Sequence, residues 1–162
     1  MSFGLVHHVA PPLRVKQWID ARGQDIAPLC LSELGAGYRI LYCFQDWCAG
    51  CHSTGFPTLQ YLHTKLAGRD FGFAVIQTVF EGNDINTFDK LRVNQQRYQL
   101  DIPFGHDTPP EGKSYPTFME DYRSQGTPWF TIIDPEDNVV YADFLLNPQR
   151  FLELFGVSDK PE

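Results

Sequence analysis

The sequence predicts a single α/β domain, and three observations carry that reading. The chain is 162 residues long, which is one domain on the usual scale of about 100–200 residues. Its composition is globular, with 43% hydrophobic and 20% charged residues and 13 phenylalanines to fill a core. Between residues 13 and 156, strand-like and helix-like patterns alternate, as they do where helices cover the faces of a sheet.

Residues 1–12 end in Pro11-Pro12 and read as a loosely held lead-in. Leu13 to Ile19 reads as a strand, closed by the turn Asp20 to Gly23. Tyr38 to Phe44 is β-rich and mostly apolar, as a strand buried on both faces is. Next, Phe56, Leu59, Leu62 and Leu66 recur at helical spacing, with Gly68 as the stop and Pro57 expected to kink the helix. Phe71 to Phe80 reads as a second apolar strand. Asp84 is placed to cap a helix carrying Ile85, Phe88, Leu91 and Tyr98.

Ile102 to Phe104 reads as a short strand and Asp107 to Lys113 as a loop. Pro116 suits the first turn of a short helix that runs through Tyr122 and ends near Gly126. Trp129 to Asp134 and Val139 to Phe144 read as strands joined by the turn Pro135 to Asn138. Pro148 to Phe155 reads as a closing helix with Phe151, Leu152 and Phe155 inward, ahead of a polar tail at 157–162.

Charge and hydropathy narrow the partners. The formal net charge is −7, from 13 basic and 20 acidic residues, which argues against nucleic acid or an anionic membrane as the main partner. No apolar run approaches the roughly 18–20 residues of a membrane helix. The opening Met1 to His8 has neither a positive n-region nor an apolar h-region. The expected compartment is the cytoplasm, or the periplasm if an export segment preceded Met1.

Four cysteines, Cys30, Cys43, Cys48 and Cys51, are too sparse for a disulfide framework, and in a reducing compartment a close pair is catalytic or metal-binding. Cys48-Ala49-Gly50-Cys51 sits between an apolar strand and a helix. Two cysteines three apart on a first helical turn can close a disulfide with little backbone movement. There the first thiol faces unpaired backbone N–H groups and the positive end of the helix dipole, both of which favour the thiolate. Cys48 is then the exposed nucleophile, and Cys51, one turn in, resolves the mixed disulfide. Farther along, Gly126-Thr127-Pro128-Trp129 puts a proline at the start of a strand. That is a candidate cis-peptide site that would present the Thr127 backbone to an extended substrate.

Trp47-Cys48-Ala49-Gly50-Cys51 after one strand, with Thr127-Pro128 before another, resembles the thioredoxin superfamily. The lead-in Trp18 to Gly23, the added helix and strand at 84–104 and the hairpin Ile132 to Val140 resemble its redoxin branch, the TlpA-type thiol-disulfide oxidoreductases. The resemblance spans about residues 13–156. It implies a three-layer fold, a central mixed sheet with helices on both faces, carrying an extra helix–strand insertion. It also implies disulfide exchange without a bound cofactor, between a protein or small-thiol disulfide and a thiol donor. The site it implies is nucleophile Cys48, resolving Cys51 and cis-proline Pro128, with Trp47 and Thr127 beside the substrate.

The chain departs from the thioredoxin pattern at three places. The buried acid six residues before the first cysteine is replaced by Tyr42, leaving Asp46 as the candidate substitute. Gly50 stands where many relatives carry proline. The helix proline, Pro57, falls six residues after Cys51 rather than five. His52 is a second candidate modulator, through its charge near the thiols, unless it is a solvated helix-surface residue.

Three rival chemistries use the same residues. Cys48-x-x-Cys51-His52 has the literal form of a c-type haem attachment sequence. Cys48, Cys51 and His52 could also begin a metal site, although no second Cys-x-x-Cys or paired histidine follows. A peroxiredoxin-like peroxidase would carry Thr or Ser three residues, and Pro seven residues, before its reactive cysteine. Those places hold Gln45 and Leu41 before Cys48, and Cys48 and Phe44 before Cys51. Of the remaining residues, Cys43 reads as a buried small hydrophobe and Cys30 as a core or edge residue. Trp129 reads as either a groove wall or core filling.

Overall fold

A computed structural model describes residues 4–157 of the chain. Residues 1–3 of the expected lead-in and 158–162 of the expected tail lie outside the described residues. Seven strands form one mixed sheet: β1 (Gln17–Ile19), β2 (Asp25–Ile26), β3 (Tyr38–Phe44), β4 (Phe71–Thr78), β5 (Phe104–Asp107), β6 (Trp129–Ile133) and β7 (Val139–Asp143). Their order is β2-β1-β5-β4-β3-β6-β7, with β3, β4 and β5 parallel and the other pairings antiparallel. The helices are α1 (Phe56–Lys65), α2 (Lys90–Arg97), α3 (Thr117–Tyr122) and α4 (Pro148–Leu154). This is the thioredoxin-like three-layer arrangement.

Alternation along the central strand builds the two outer layers. Ile40, Tyr42 and Phe44 of β3 join Val75, Phe130 and Ile132 in one core, which packs against Phe56, Leu59 and Leu62 of α1, Leu91 of α2 and Phe151 and Leu152 of α4. Leu41 and Cys43 face the other way. They join Ala74, Ile76 and Trp129 in a second core beneath Phe118 and Tyr122 of α3. Side chains on both faces of β3 are fully buried, which explains its unbroken apolar sequence.

Several elements differ from the sequence expectation, each for a local reason. The first strand is confined to Gln17–Ile19, because β1 meets β5 only along those residues. The Arg14 guanidinium turns instead to the Asp121 carboxylate, with bonds of 2.7 Å. Pro57 lies in the opening turn of α1 directly after a π-helical turn, Cys51–Gly55, that continues from the helical residues 49–50, so the irregular turn expected around this proline takes the form of a widened π turn on its N-terminal side. Asp84 caps nothing. Residues 82–87 form turns and the helix starts at Lys90, since Asn86 is drawn into other contacts. The short strand is Phe104–Asp107 rather than 102–104, and Asp107 closes it by accepting the N–H groups of Thr117 and Phe118 at the head of α3.

The lead-in is not loose within its described part. The His7 N–H donates to the Val139 carbonyl, the Val139 N–H to the His8 carbonyl and the Ala10 N–H to the Asp137 carbonyl, and Leu5 and Ala10 are buried.

Candidate active site: the Cys48–Cys51 turn

Strand β3 feeds straight into Gln45-Asp46-Trp47, whose backbone N–H groups leave the sheet and need new partners. Asn86, almost fully buried, supplies one. Its Oδ1 accepts from the Asp46 N–H at 2.7 Å and more loosely from that of Trp47 at 3.4 Å. Its Nδ2 donates to the carbonyls of Glu81 at 3.1 Å and Gly82 at 3.2 Å. One amide thus joins the turn before Cys48 to the loop after β4. Gly82 lies close enough that a β-carbon there would stand 3.3 Å from the Trp47 indole nitrogen.

Helix α2 holds the same turn from another side. Asn94 Nδ2 donates to Asp46 Oδ1 at 2.9 Å, and Lys90 Nζ stands 3.6 Å from Asp46 Oδ2. Tyr98, just past the helix, completes a four-residue spacing that puts all three on one face. Its hydroxyl lies 2.5 Å from His52 Nδ1, while His52 Nε2 lies 2.6 Å from the Asp46 carbonyl. A carbonyl only accepts, so Nε2 carries a hydrogen, and in the neutral imidazole the Tyr98 hydroxyl donates to Nδ1. The imidazole also stacks on Phe56 and Tyr98. His52 is therefore not a solvated surface residue, and both its nitrogens are engaged, which leaves neither to serve the haem or metal reading. Among the described residues, no group of three or more His, Cys, Asp or Glu side chains converges.

Beneath the turn, the Tyr42 hydroxyl donates to the Cys51 carbonyl at 2.9 Å. The same carbonyl accepts the N–H of Phe56, five residues on. This wider loop absorbs the extra residue between Cys51 and Pro57. It also carries Gly55 over the Tyr42 ring, so close that a β-carbon would come within 2.7 Å of Cζ. Burial pushes the Tyr42 phenol well above its ordinary pKa. It is a fixed neutral donor where thioredoxin places an acid, and Asp46, held by Asn94 and Lys90, points its carboxylate to α2.

Cys48 and Cys51 form a disulfide with Cα atoms 5.3 Å apart. Cys51 is completely buried and Cys48 partly open. The Cys51 N–H donates to Cys48 Sγ at 3.3 Å, and Sγ lies 3.5 Å from the Thr127 carbonyl oxygen. The Thr127–Pro128 peptide bond is cis. A β-carbon on Gly50 would meet Pro128 Cδ at 3.5 Å, so the two segments are in contact. Together they border a groove of about 340 Å³ lined by Trp47, Cys48, Ala49, Phe80, Glu81, Thr127 and Phe144. Trp47 is 48% exposed there, whereas Trp129 is wholly buried and fills the core. Cys43 is buried, with its thiol pushed up by burial, and Cys30 is exposed.

The structure brings together all the residues singled out from sequence, Asp46, Trp47, Cys48, Cys51, His52, Thr127 and Pro128. The supports Asn86, Asn94 and Tyr98 were missed. The available signal was Asn94, a polar residue at a helical position between apolar Leu91 and Tyr98.

No protein-family model matches the chain, and no curated protein matches it. Solved structures do. A thioredoxin-like superfamily protein is 26% identical with a TM-score of 0.78, covering 91% of this chain and 92% of that one. A thiol-disulfide isomerase from Corynebacterium glutamicum is 25% identical with a TM-score of 0.75, covering 93% and 98%. The chain is a thioredoxin-superfamily protein of the redoxin type. A thiol:disulfide interchange protein of the thioredoxin family from Chlorobium tepidum shares the fold of this redoxin, at 17% identity and a TM-score of 0.62 over 96% and 97% of the two chains. The redoxin has the fold of a thiol-disulfide oxidoreductase, carries a Cys48–Cys51 disulfide and is in that general sense a redox enzyme. Among the described residues, no helix is long and apolar enough to cross a membrane.

Proposed function

We propose that this redoxin reduces disulfides, with Cys48 as nucleophile and Cys51 as resolving cysteine. The observation that carries the reading is the graded exposure of the pair. Cys48 Sγ opens on a groove beside the Thr127 carbonyl, and Cys51 is sealed behind it. The Cys48 thiolate attacks one sulfur of the substrate disulfide. That S–S bond breaks, a mixed disulfide forms on Cys48, and the first substrate thiolate leaves and takes up a proton. Cys51 then loses its proton to solvent and attacks Cys48 Sγ. The mixed disulfide breaks, the second substrate thiolate leaves, and the Cys48–Cys51 disulfide is formed. Two electrons and two protons have passed to the substrate, and a thiol donor restores the dithiol by the reverse exchange.

Trp47, Thr127 and Pro128 align the substrate in this scheme, the Thr127 backbone pairing with its chain. The Cys51 N–H stabilises the attacking thiolate. The reducing direction is supported by the electrostatics of the groove. No basic side chain lines it, one acid, Glu81, does, and His52 is committed to Asp46 and Tyr98. A thiolate stabilised by the Cys51 N–H but by no cation lining the groove is less favoured than one beside a basic side chain, which leaves the dithiol easier to oxidise and so the stronger reductant.

Thiol trapping with intact-mass analysis across glutathione buffers tests this. The expected result is a two-electron step confined to Cys48 and Cys51, with a midpoint nearer about −270 mV than −120 mV. Cys48→Ser should abolish disulfide reduction, and Cys51→Ser should accumulate mixed disulfides. Full reductase activity in Cys48→Ser would sink the reading.

A further inference from the structure

Three aromatic side chains, Trp47, Phe80 and Phe144, line the groove at Cys48, and its one ionisable side chain besides the thiol is Glu81. Trp47 is 48% and Phe144 40% exposed, so both rings are open to an incoming group. Aromatic faces attract cations, and a carboxylate among them has the same preference. The Thr127 carbonyl oxygen, 3.5 Å from Cys48 Sγ, adds another electron-rich atom. Every group here that discriminates by charge favours a cation.

Glu81 is exposed, and among the described residues its carboxylate makes no ion pair. Its place is nevertheless fixed. Asn86 donates to the Glu81 carbonyl at 3.1 Å and accepts from the Asp46 N–H at 2.7 Å. One buried amide thereby sets the backbone of the acid against the turn that carries Cys48, and the neighbouring Gly82 lies against the Trp47 indole.

The surrounding charges cancel in pairs. Lys90 is engaged with Asp46, and the adjoining depression, which shares Phe80, holds both Glu120 and Arg123. The formal net charge of −7 adds a long-range field of the same sign as Glu81. The carboxylate is left free to act on a substrate.

We infer that Glu81, with the Trp47 and Phe144 rings, selects disulfides that carry a positive charge beside the reacting sulfur and disfavours anionic ones such as glutathione disulfide. This rests on Cys48 being the exchanging cysteine and names the substrate class by its charge. An ammonium or guanidinium group a few atoms from the attacked sulfur meets the groove walls while that sulfur meets Cys48 Sγ. Glu81 also acts on the Cys48 thiolate, but that effect is common to every substrate and cancels in a ratio between them.

The test uses the reduced full chain and three small disulfides of similar size: cystamine, which is cationic, hydroxyethyl disulfide, which is neutral, and dithiodipropionate, which is anionic. The readout is the second-order rate constant for release of the small thiol. Each is divided by the rate constant of the same disulfide with dithiothreitol, which removes intrinsic reactivity. In wild type at low ionic strength, cystamine should exceed the neutral disulfide about fivefold and the anionic one should fall about threefold below it. Glu81→Gln should reduce the cation-to-anion ratio from about fifteenfold to about threefold or less, and Glu81→Lys should bring it below one. Phe144→Leu, which keeps apolar bulk and removes the ring, should lower the cation-to-neutral ratio about twofold. In about 1 M salt the wild-type ratios should shrink toward one, because the Debye length falls to about 3 Å. A wild-type cation-to-anion ratio near one, or ratios unchanged in Glu81→Gln, would overturn the inference. Reduction of hydroxyethyl disulfide by Cys48→Ser at the wild-type rate would overturn instead the reading beneath it. Because each readout is a ratio within one variant, a general loss of folded protein cancels.

Discussion

The Asn86 side-chain oxygen accepts the Asp46 backbone N–H at 2.7 Å, and through that bond the loop after β4 positions the turn ahead of Cys48. An unpaired N–H in so buried a place costs about 1–3 kcal/mol. Asn86→Ala should therefore lower the melting temperature by several degrees and reduce kcat/KM about tenfold through a displaced Cys48. Asn86→Asp keeps the acceptor and loses the donors to Glu81 and Gly82, so it should fall between the two. Thermal unfolding alongside disulfide-reduction kinetics checks the order.

Tyr42 and Gly55 should show an asymmetry. Tyr42→Phe removes one donor from the Cys51 carbonyl but leaves the Phe56 N–H, for a loss of about 1 kcal/mol. Gly55→Ala drives a methyl group into the fully buried Tyr42 ring and should cost about 1–3 kcal/mol or more. Denaturant midpoints measured side by side should rank Gly55→Ala as the less stable.

Glu81 is the acid of an otherwise uncharged groove. Glu81→Lys replaces repulsion of the Cys48 thiolate by attraction, so the reduced form gains stability and the midpoint should rise by about 10–30 mV. Glutathione-buffer titration of the variant reads this directly, and a midpoint that moves down contradicts the proposed electrostatics.

Acid sensitivity should trace to His106. Burial holds its pKa below the ordinary histidine value, and its Nδ1 lies 3.0 Å from the Gln77 amide nitrogen, a donor. Below about pH 6.5 the unfolded chain takes up a proton that the folded chain refuses. Stability therefore falls as pH drops from there through the folded value, and above it the group contributes nothing. The neighbouring Asp107 carboxyl is pushed up by burial and acts with the opposite sign. The readout is thus the difference between wild type and His106→Gln in urea unfolding from pH 7.5 to 5. The variant should lose less stability over that range.

The elements most legible in the sequence were those whose local pattern and tertiary role agree. The boundaries of β3 at Tyr38 and Phe44 follow from a run buried on both faces, and the seat of the Cys-x-x-Cys follows from β3. Where the two disagree, local signals mislead. Asp84 has the form of a helix cap, yet the segment bends into turns because Asn86 bonds with Asp46, Glu81 and Gly82. Pro57 marks a break in the α-helical pattern, but its form, a π-helical turn over Cys51–Gly55, depends on the Tyr42 ring beneath Gly55 and could not be read from the proline alone. Asn86, Asn94 and Tyr98 look like ordinary polar or aromatic residues until the sheet order sets β4, the loop after it and α2 around the end of β3.

The fastening of Asp46 and His52 by Lys90, Asn94 and Tyr98 bears on redesign. Transplanting Trp47 to Cys51 into another scaffold would carry the sulfurs and leave behind the brackets that hang the turn in place. A working graft would have to bring α2 and the 82–87 loop as well. Swapping α2 for the corresponding helix of a relative is therefore a way to retune the thiols without touching either cysteine.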